Sequence, residues 1–142
     1  ENRLYDHLIG LAAASLITRS VPPGPSPDAA LLAEIKSYLE ANLGLDLPSR
    51  AVAGHFGISD RKLQRLFQTE RTTLSRWLRF QRLDRCAHDL ADPLQSGRTL
   101  TMIAAARGFD DMSYFSRSFR EAFGVSPTAY RRAARSGSTS AG

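Results

Sequence analysis

Residues 103–124 read IAAARGFDDMSYFSRSFREAFG, and this stretch decides the fold. Phe115, Phe119 and Phe123 recur every four residues, the spacing of one helix face. Ser113, Ser116, Arg117 and Arg120 fall on or near the opposite face, with Met112 beside them. A shorter apolar run, from about Leu100 to Arg107, precedes Gly108-Phe109-Asp110. The pattern predicts a helix, a tight turn at Gly108 and a second helix restarting near Asp111, with Asp110 or Asp111 at its N-terminus, where a carboxylate suits the helix dipole.

The same pattern occurs upstream in residues 52–67, VAGHFGISDRKLQRLF. Ala53 precedes Gly57 by four residues, as Ala104 precedes Gly108. The copies are offset by 51 at the glycines and by 52 from Leu63 and Phe115 onward, so the second turn holds one extra residue. A helix from about Pro48 to His55 and a left-handed Gly57 follow. Ile58 plugs the gap beneath the turn, and the Ser59 hydroxyl caps the next helix. Leu63, Leu66 and Phe67 point inward, whereas Arg61, Lys62, Gln64 and Arg65 form an outer face. Arginine matches guanine O6/N7 and glutamine matches adenine N6/N7, so such a helix suits a DNA major groove. Each copy is followed by one more aromatic on a helix, Trp77 and then Tyr130, which marks one supersecondary unit used twice.

Between the copies lies one long helix, from about Leu74 to Ala91, with Leu74, Trp77, Leu78, Leu83, Ala87 and Leu90 inward. Eighteen helical residues span roughly 27 Å. Successive major grooves on one face of DNA lie about 34 Å apart, so a rod of this length suits two recognition helices one turn apart. Upstream, Ser26, Pro27 and Asp28 open a helix whose buried face is Leu31, Leu32, Ile35 and Leu39, with Asn42 and Gly44 offering a left-handed exit. Leu4, Leu8, Leu11, Ala12 and Leu16 predict an N-terminal helix over Asn2 to Thr18, within a segment 1–19. A proline-rich linker follows at 20–27. Residues 28–135 form the expected DNA-binding domain, and 136–142, made of Ser, Gly, Thr and Ala, a disordered tail. The fold class expected is all-α: two helix-turn-helix subdomains joined by a long linker helix, with an extra N-terminal helix. A chain of 142 residues with three valines and five isoleucines but abundant Ala, Leu and Arg agrees with that class.

Charge is distributed unevenly. The net charge is +5, yet Glu1 to Ser49 carries −3 and Arg50 to Gly142 carries +8. A basic segment of this kind points to a polyanion, most simply nucleic acid.

The run from Gly108 to Arg131 resembles the C-terminal signature of AraC/XylS-type transcription regulators. Leu63-Gln64-Arg65-Leu66-Phe67 and Arg82-Leu83 are similar to the family's first-unit pattern, so the resemblance covers about Asp28 to Arg132. It implies two helix-turn-helix subdomains that bind double-stranded DNA in successive major grooves to regulate transcription, with activation the expected sign. By position it places base reading on Arg61, Gln64 and Arg65 and on Met112, Ser113, Ser116 and Arg117. Lys62, Arg120 and Arg131 are added as DNA contacts, Arg131 to phosphate. The chain departs from the family where Glu70-Arg71-Thr72-Thr73 lacks the usual glycine after the first recognition helix. It departs again at Met112, an outward position often filled by a polar residue.

The family commonly carries a sensor or dimerisation domain ahead of the DNA-binding module. The helix Asn2 to Thr18 reads either as the last piece of such a domain or as a helix packed on this module. A small-molecule effector is expected only through that further domain. The alternative reading of function is an interaction module whose basic helices dock an acidic protein partner such as RNA polymerase.

Catalytic chemistry finds no footing. His7, His55 and His88 lie in three different predicted helices without ligand spacing, and Cys86, the single cysteine, reads as a core residue. No phosphate loop, nucleophile elbow or metal motif is present. No cofactor, metal or enzymatic activity is expected. No membrane partner is expected either, the run Leu8 to Ile17 being too short to span a bilayer. The expected location is the cytoplasm.

Overall fold

The computed structural model describes residues 24–139. The predicted helix over Asn2 to Thr18, the first half of the proline-rich linker and residues 140–142 lie outside them. Among the described residues the secondary structure is entirely helical. The helices are α1 (Pro27–Ala41), α2 (Ser49–His55), α3 (Asp60–Gln68), α4 (Leu74–Ala91), α5 (Leu100–Ala106), α6 (Met112–Phe123) and α7 (Pro127–Thr139), with a 3-10 turn at Pro93–Gln95.

Helix α1 starts as its sequence requires. Ser26 Oγ accepts from the Ala29 amide at 3.1 Å, and Pro27 fills the first position, where no amide donor is needed. Its exit differs from expectation. Asn42 has φ −125° and Gly44 is not left-handed; instead the Asn42 side-chain amide donates to Tyr38 O at 2.7 Å. Gly44 is required for a different reason: a Cβ there would lie 2.8 Å from Ala106 O.

The two units share one device. Gly57 and Gly108 take φ of +65° and +95°, which lets the next amide turn back to the preceding helix. Ile58 N donates to Ala53 O and Phe109 N to Ala104 O, both at 3.0 Å. Ser59 Oγ then caps α3 at the Lys62 amide, and an Asp111 carboxylate oxygen caps α6 at the Tyr114 amide. Each unit closes over its own core. The first holds Leu32, Ile35, Leu39, Leu63, Leu66 and Phe67, and the second Leu83, Cys86, Leu90, Ile103, Phe115 and Phe119. Helix α4 belongs to both, giving Leu74 and Leu78 to the first and Leu83, Cys86, Ala87 and Leu90 to the second. The repeat therefore begins one helix earlier than the sequence pattern alone implies. Leu32, Ile35 and Leu39 of α1 stand 51 residues before Leu83, Cys86 and Leu90 of α4.

The turn lacking glycine, after α3, is closed by Arg71 at φ 58°. Glu70 beside it pairs with Lys36 of α1, and the Lys36 ammonium sits 5.8 Å over the Trp77 ring. At the other end the expected disordered tail is corrected in part. Helix α7 runs to Thr139, and Ser136 Oγ donates to Arg132 O at 3.1 Å within it. Tyr130 anchors α7 by packing 5.4 Å from Phe119 and 5.7 Å from Phe123.

Two substitutions test the turns. In Gly108→Val the Cβ would meet Leu43 O at 2.6 Å at a left-handed φ, so a loss of more than about 2 kcal/mol is expected in urea unfolding. Arg71→Gly relieves a left-handed non-glycine residue and should gain up to about 1 kcal/mol by the same measurement.

Candidate nucleic-acid interface

Leu63, Leu66 and Phe67 hold α3 down by its buried side, which leaves its other side to solvent. Arg61, Gln64, Arg65 and Gln68 are exposed there and line one shallow groove of about 310 Å³. Their spacing of three, four and seven residues stacks them along one face. Gln64 Nε2 donates to Asp60 Oδ2 at 3.2 Å, which leaves Gln64 Oε1 and one amide N–H for a partner. Asp60 Oδ1 is buried without a hydrogen bond. Gln68 was not among the expected site residues, although its place one turn beyond Gln64 and Arg65 is readable from the spacing. Lys62 turns away from this face: it is half-buried, with Nζ 3.8 Å from Asp28 Oδ1.

The second face lies on α6, above Phe115 and Phe119. Ser113, Ser116, Arg117 and Arg120 are all exposed, standing 52 residues after Arg61, Gln64, Arg65 and Gln68. Met112 does not stand out with them. It is half-buried and packs against the second core, since an apolar side chain at the helix start lowers its free energy by folding inward. Tyr114, 42% exposed, flanks this face.

Arg131 sits elsewhere. It is half-buried on α7, and its guanidinium donates to Gln95 O at 2.8 Å while Nε is buried without a partner. Burial, with Arg135 nearby, holds its pKa below the ordinary arginine value. Arg135 donates to Ser96 O at 2.9 Å. Both arginines tie α7 to the loop before α5.

A buried ion pair supports this loop, and the sequence reading missed it. Asp89, 4% exposed on α4, accepts from Arg107 Nε at 2.8 Å and Nη2 at 3.0 Å, and from Gln95 Nε2 at 2.9 Å. Gln95 Oε1 in turn accepts from Arg98 at 2.9 Å. Burial alone would raise the Asp89 carboxyl, but the hydrogen bonds from Arg107 and Gln95 outweigh it and hold the pKa below the ordinary carboxylate value. A signal did exist: Arg107 occupies the repeat position of Phe56, and Asp89 that of Tyr38. The first unit packs Tyr38 edge-on to Phe56 at 5.5 Å. Where the second unit puts a charge in that slot, it must put the opposite charge against it.

His55 stacks on Tyr38 at 4.1 Å, and His88 lies exposed with Nδ1 2.9 Å from Asp84 O. His7 is outside the described residues. Burial pushes the Cys86 thiol up to about 12, so it is packed as an apolar group. Among the described residues no group of His, Cys, Asp and Glu could hold a metal ion, and no helix is long and apolar enough to cross a membrane.

The helix-turn-helix domain family matches residues 52–133, more than half of the chain. Among curated proteins, the transcriptional activator NphR of Rhodococcus sp is 36% identical over 102 residues, covering 71% of this chain and 30% of that protein. The transcriptional activator RhrA of Rhizobium meliloti is 38% identical over 104 residues, covering 72% and 33%. The chain thus spans about a third of the length of these relatives. Among solved structures, an AraC-type transcriptional regulator from Chromobacterium violaceum is 31% identical with TM-score 0.66, covering 72% of this chain and 90% of that one. The DNA-binding domain of AdpA, solved in complex with a target DNA, is 27% identical with TM-score 0.66, covering 74% and 93%.

Asp89→Ala is expected to strand Arg107 and to cost about 2–3 kcal/mol in urea unfolding at neutral pH, below a fully buried pair because Arg107 is partly exposed. The folded carboxyl is depressed. Its contribution is therefore complete above the unfolded carboxylate pKa, about 4, and is lost as pH falls below it. Asp89→Asn should lack that part of the acid dependence.

Proposed function

The chain belongs to the helix-turn-helix family of AraC-type transcription regulators, and from that premise we propose that it grips double-stranded DNA with α3 and α6 in successive major grooves. One observation carries the reading. Two repeat-equivalent helix faces, each backed by buried Leu and Phe side chains, are left open and are furnished with Arg, Gln and Ser. These side chains suit base edges and phosphates: Arg for guanine, Gln for adenine, Ser for either.

The two faces are unequal. Helix α3 offers four long side chains, Arg61, Gln64, Arg65 and Gln68. Helix α6 offers two short serines before Arg117 and Arg120. The α3 face therefore carries most of the base discrimination, and α6 contributes closer apposition with phosphate contacts. Activation is the sign proposed, because NphR and RhrA are both named transcriptional activators. With it go RNA polymerase as a partner, a cytoplasmic location, and an effector acting only through a further domain of the full-length regulator.

The test is binding measured on a site selected from a random duplex pool. Affinity should fall linearly in log K against log salt, on selected and random duplex alike, as several of the bases meet phosphates. Arg61→Ala should cost about 1–3 kcal/mol on the selected site and relax preference at one or two base pairs. A flat salt response would remove DNA binding. An equal loss on every single-base variant would move Arg61 to the backbone and leave base reading to Gln64 and Arg65.

A further inference from the structure

The joint between the two units is built from atoms that touch neither recognition face. Arg82, half-buried on α4, sends Nε to Leu43 O at 3.0 Å and Nη2 to Leu45 O at 2.9 Å. The second unit leans on that same loop. A Cβ on Gly44 would lie 2.8 Å from Ala106 O, and one on Gly108 would lie 2.6 Å from Leu43 O and 2.8 Å from Arg82 Nε. No methyl group fits at either glycine without a shift of backbone. Leu43 is itself buried in the first core. The loop is therefore fixed to the first unit by its side chain, to the linker helix by two carbonyls, and to the second turn by contact.

Arg82 stands on α4 between the two cores. Leu78 is the last residue of α4 buried in the first core and Leu83 the first buried in the second, so residues 79–82 belong to neither. Beside the joint the two units part around a cleft of about 680 Å³, whose lining includes Leu47, Arg79, Phe109 and Tyr114. A bend of α4 at 79–82 would open or close that cleft. The strut from Arg82 opposes it.

We propose that Arg82 is a positioning residue for DNA readout: by tying the Leu43–Leu45 loop to α4 beside the Gly108 turn, it fixes the separation and angle of the α3 and α6 faces, and so the number of base pairs the protein accepts between the two blocks of its target. The inference rests on the reading that both faces enter DNA. The geometry of the duplex makes it sensitive. One added base pair moves the second block by about 3.4 Å along the axis and about 35° around it. A chain that pivots at the joint follows such a change; a strutted one does not.

The full chain is used to select sites from a random duplex pool. Binding is then measured on the selected site and on versions with one base pair inserted or removed between its two blocks. The wild-type chain should lose about tenfold or more on either change. Arg82→Met keeps the alkyl stem and removes both donors. It should lose no more than about threefold, with affinity for a duplex carrying a single block unchanged. Gly44→Ala, which forces the loop off Ala106 O, should narrow the discrimination or shift its optimum. A folded Arg82→Met chain that discriminates spacing as the wild type does overturns the proposal. If that variant does not fold, a wild-type spacing profile in Gly44→Ala overturns it equally. A wild-type chain that selects one block or none instead refutes the two-face reading, and the role of Arg82 falls with it.

Discussion

The structure depends on one backbone constraint, used twice. A glycine at positive φ lets the amide of the following residue return to the carbonyl of an alanine five positions back, Ile58 to Ala53 and Phe109 to Ala104, at the same 3.0 Å. That bond sets how the two helices of each unit cross. Once the crossing is set, the residues facing the core are determined, and so are those left outward. The small side chains of Ala53 and Ala104, whose carbonyls accept these bonds, are buried. The aligned outer faces of α3 and α6 are consequences of this turn.

A second device also recurs. In each unit, arginines from the helix that follows the recognition helix hold carbonyls of the loop that precedes the pair. Arg82 of α4 holds Leu43 O and Leu45 O; Arg131 and Arg135 of α7 hold Gln95 O and Ser96 O. A loop carbonyl that lacks an intrahelical donor needs one from elsewhere, and a guanidinium supplies several in a fixed plane. Basic residues in this chain thus divide into two populations. Some hold the fold together and, Arg135 apart, are half-buried; others, such as Arg61, Arg65, Arg117 and Arg120, are exposed on faces suited to a polyanion. Net charge alone does not separate them.

Much of this is legible in the order of the amino acids. Helices α3, α4 and α6, the Ser26 and Ser59 caps, the Gly57 and Gly108 turns and the inward Leu and Phe residues follow from patterns that span a few residues. Periodicity, capping and positive φ are local physics, and neighbours in sequence suffice to read them. The outer faces follow too, because they are the complement of the buried ones. Arg71 in the left-handed region is signalled only as a missing glycine.

Contacts made over long separations are decided by the tertiary structure. Arg82 reaches carbonyls 39 and 37 residues away, Arg131 one 36 residues away, and Arg107 a carboxylate 18 residues away. An arginine on a helix surface has the same local signature whether it meets a phosphate, a carbonyl or water. Hence Arg131 and Lys62 read as interface residues in the sequence, whereas the packing of α7 and α1 gives them partners. Gly44 reads as a helix exit, whereas the fold sets the second unit against it. The sequence by itself determined which residues turn inward and where the chain turns. Which outward charges remain free, and how one unit sits on the other, required the fold, because those depend on what distant segments bring to the same place.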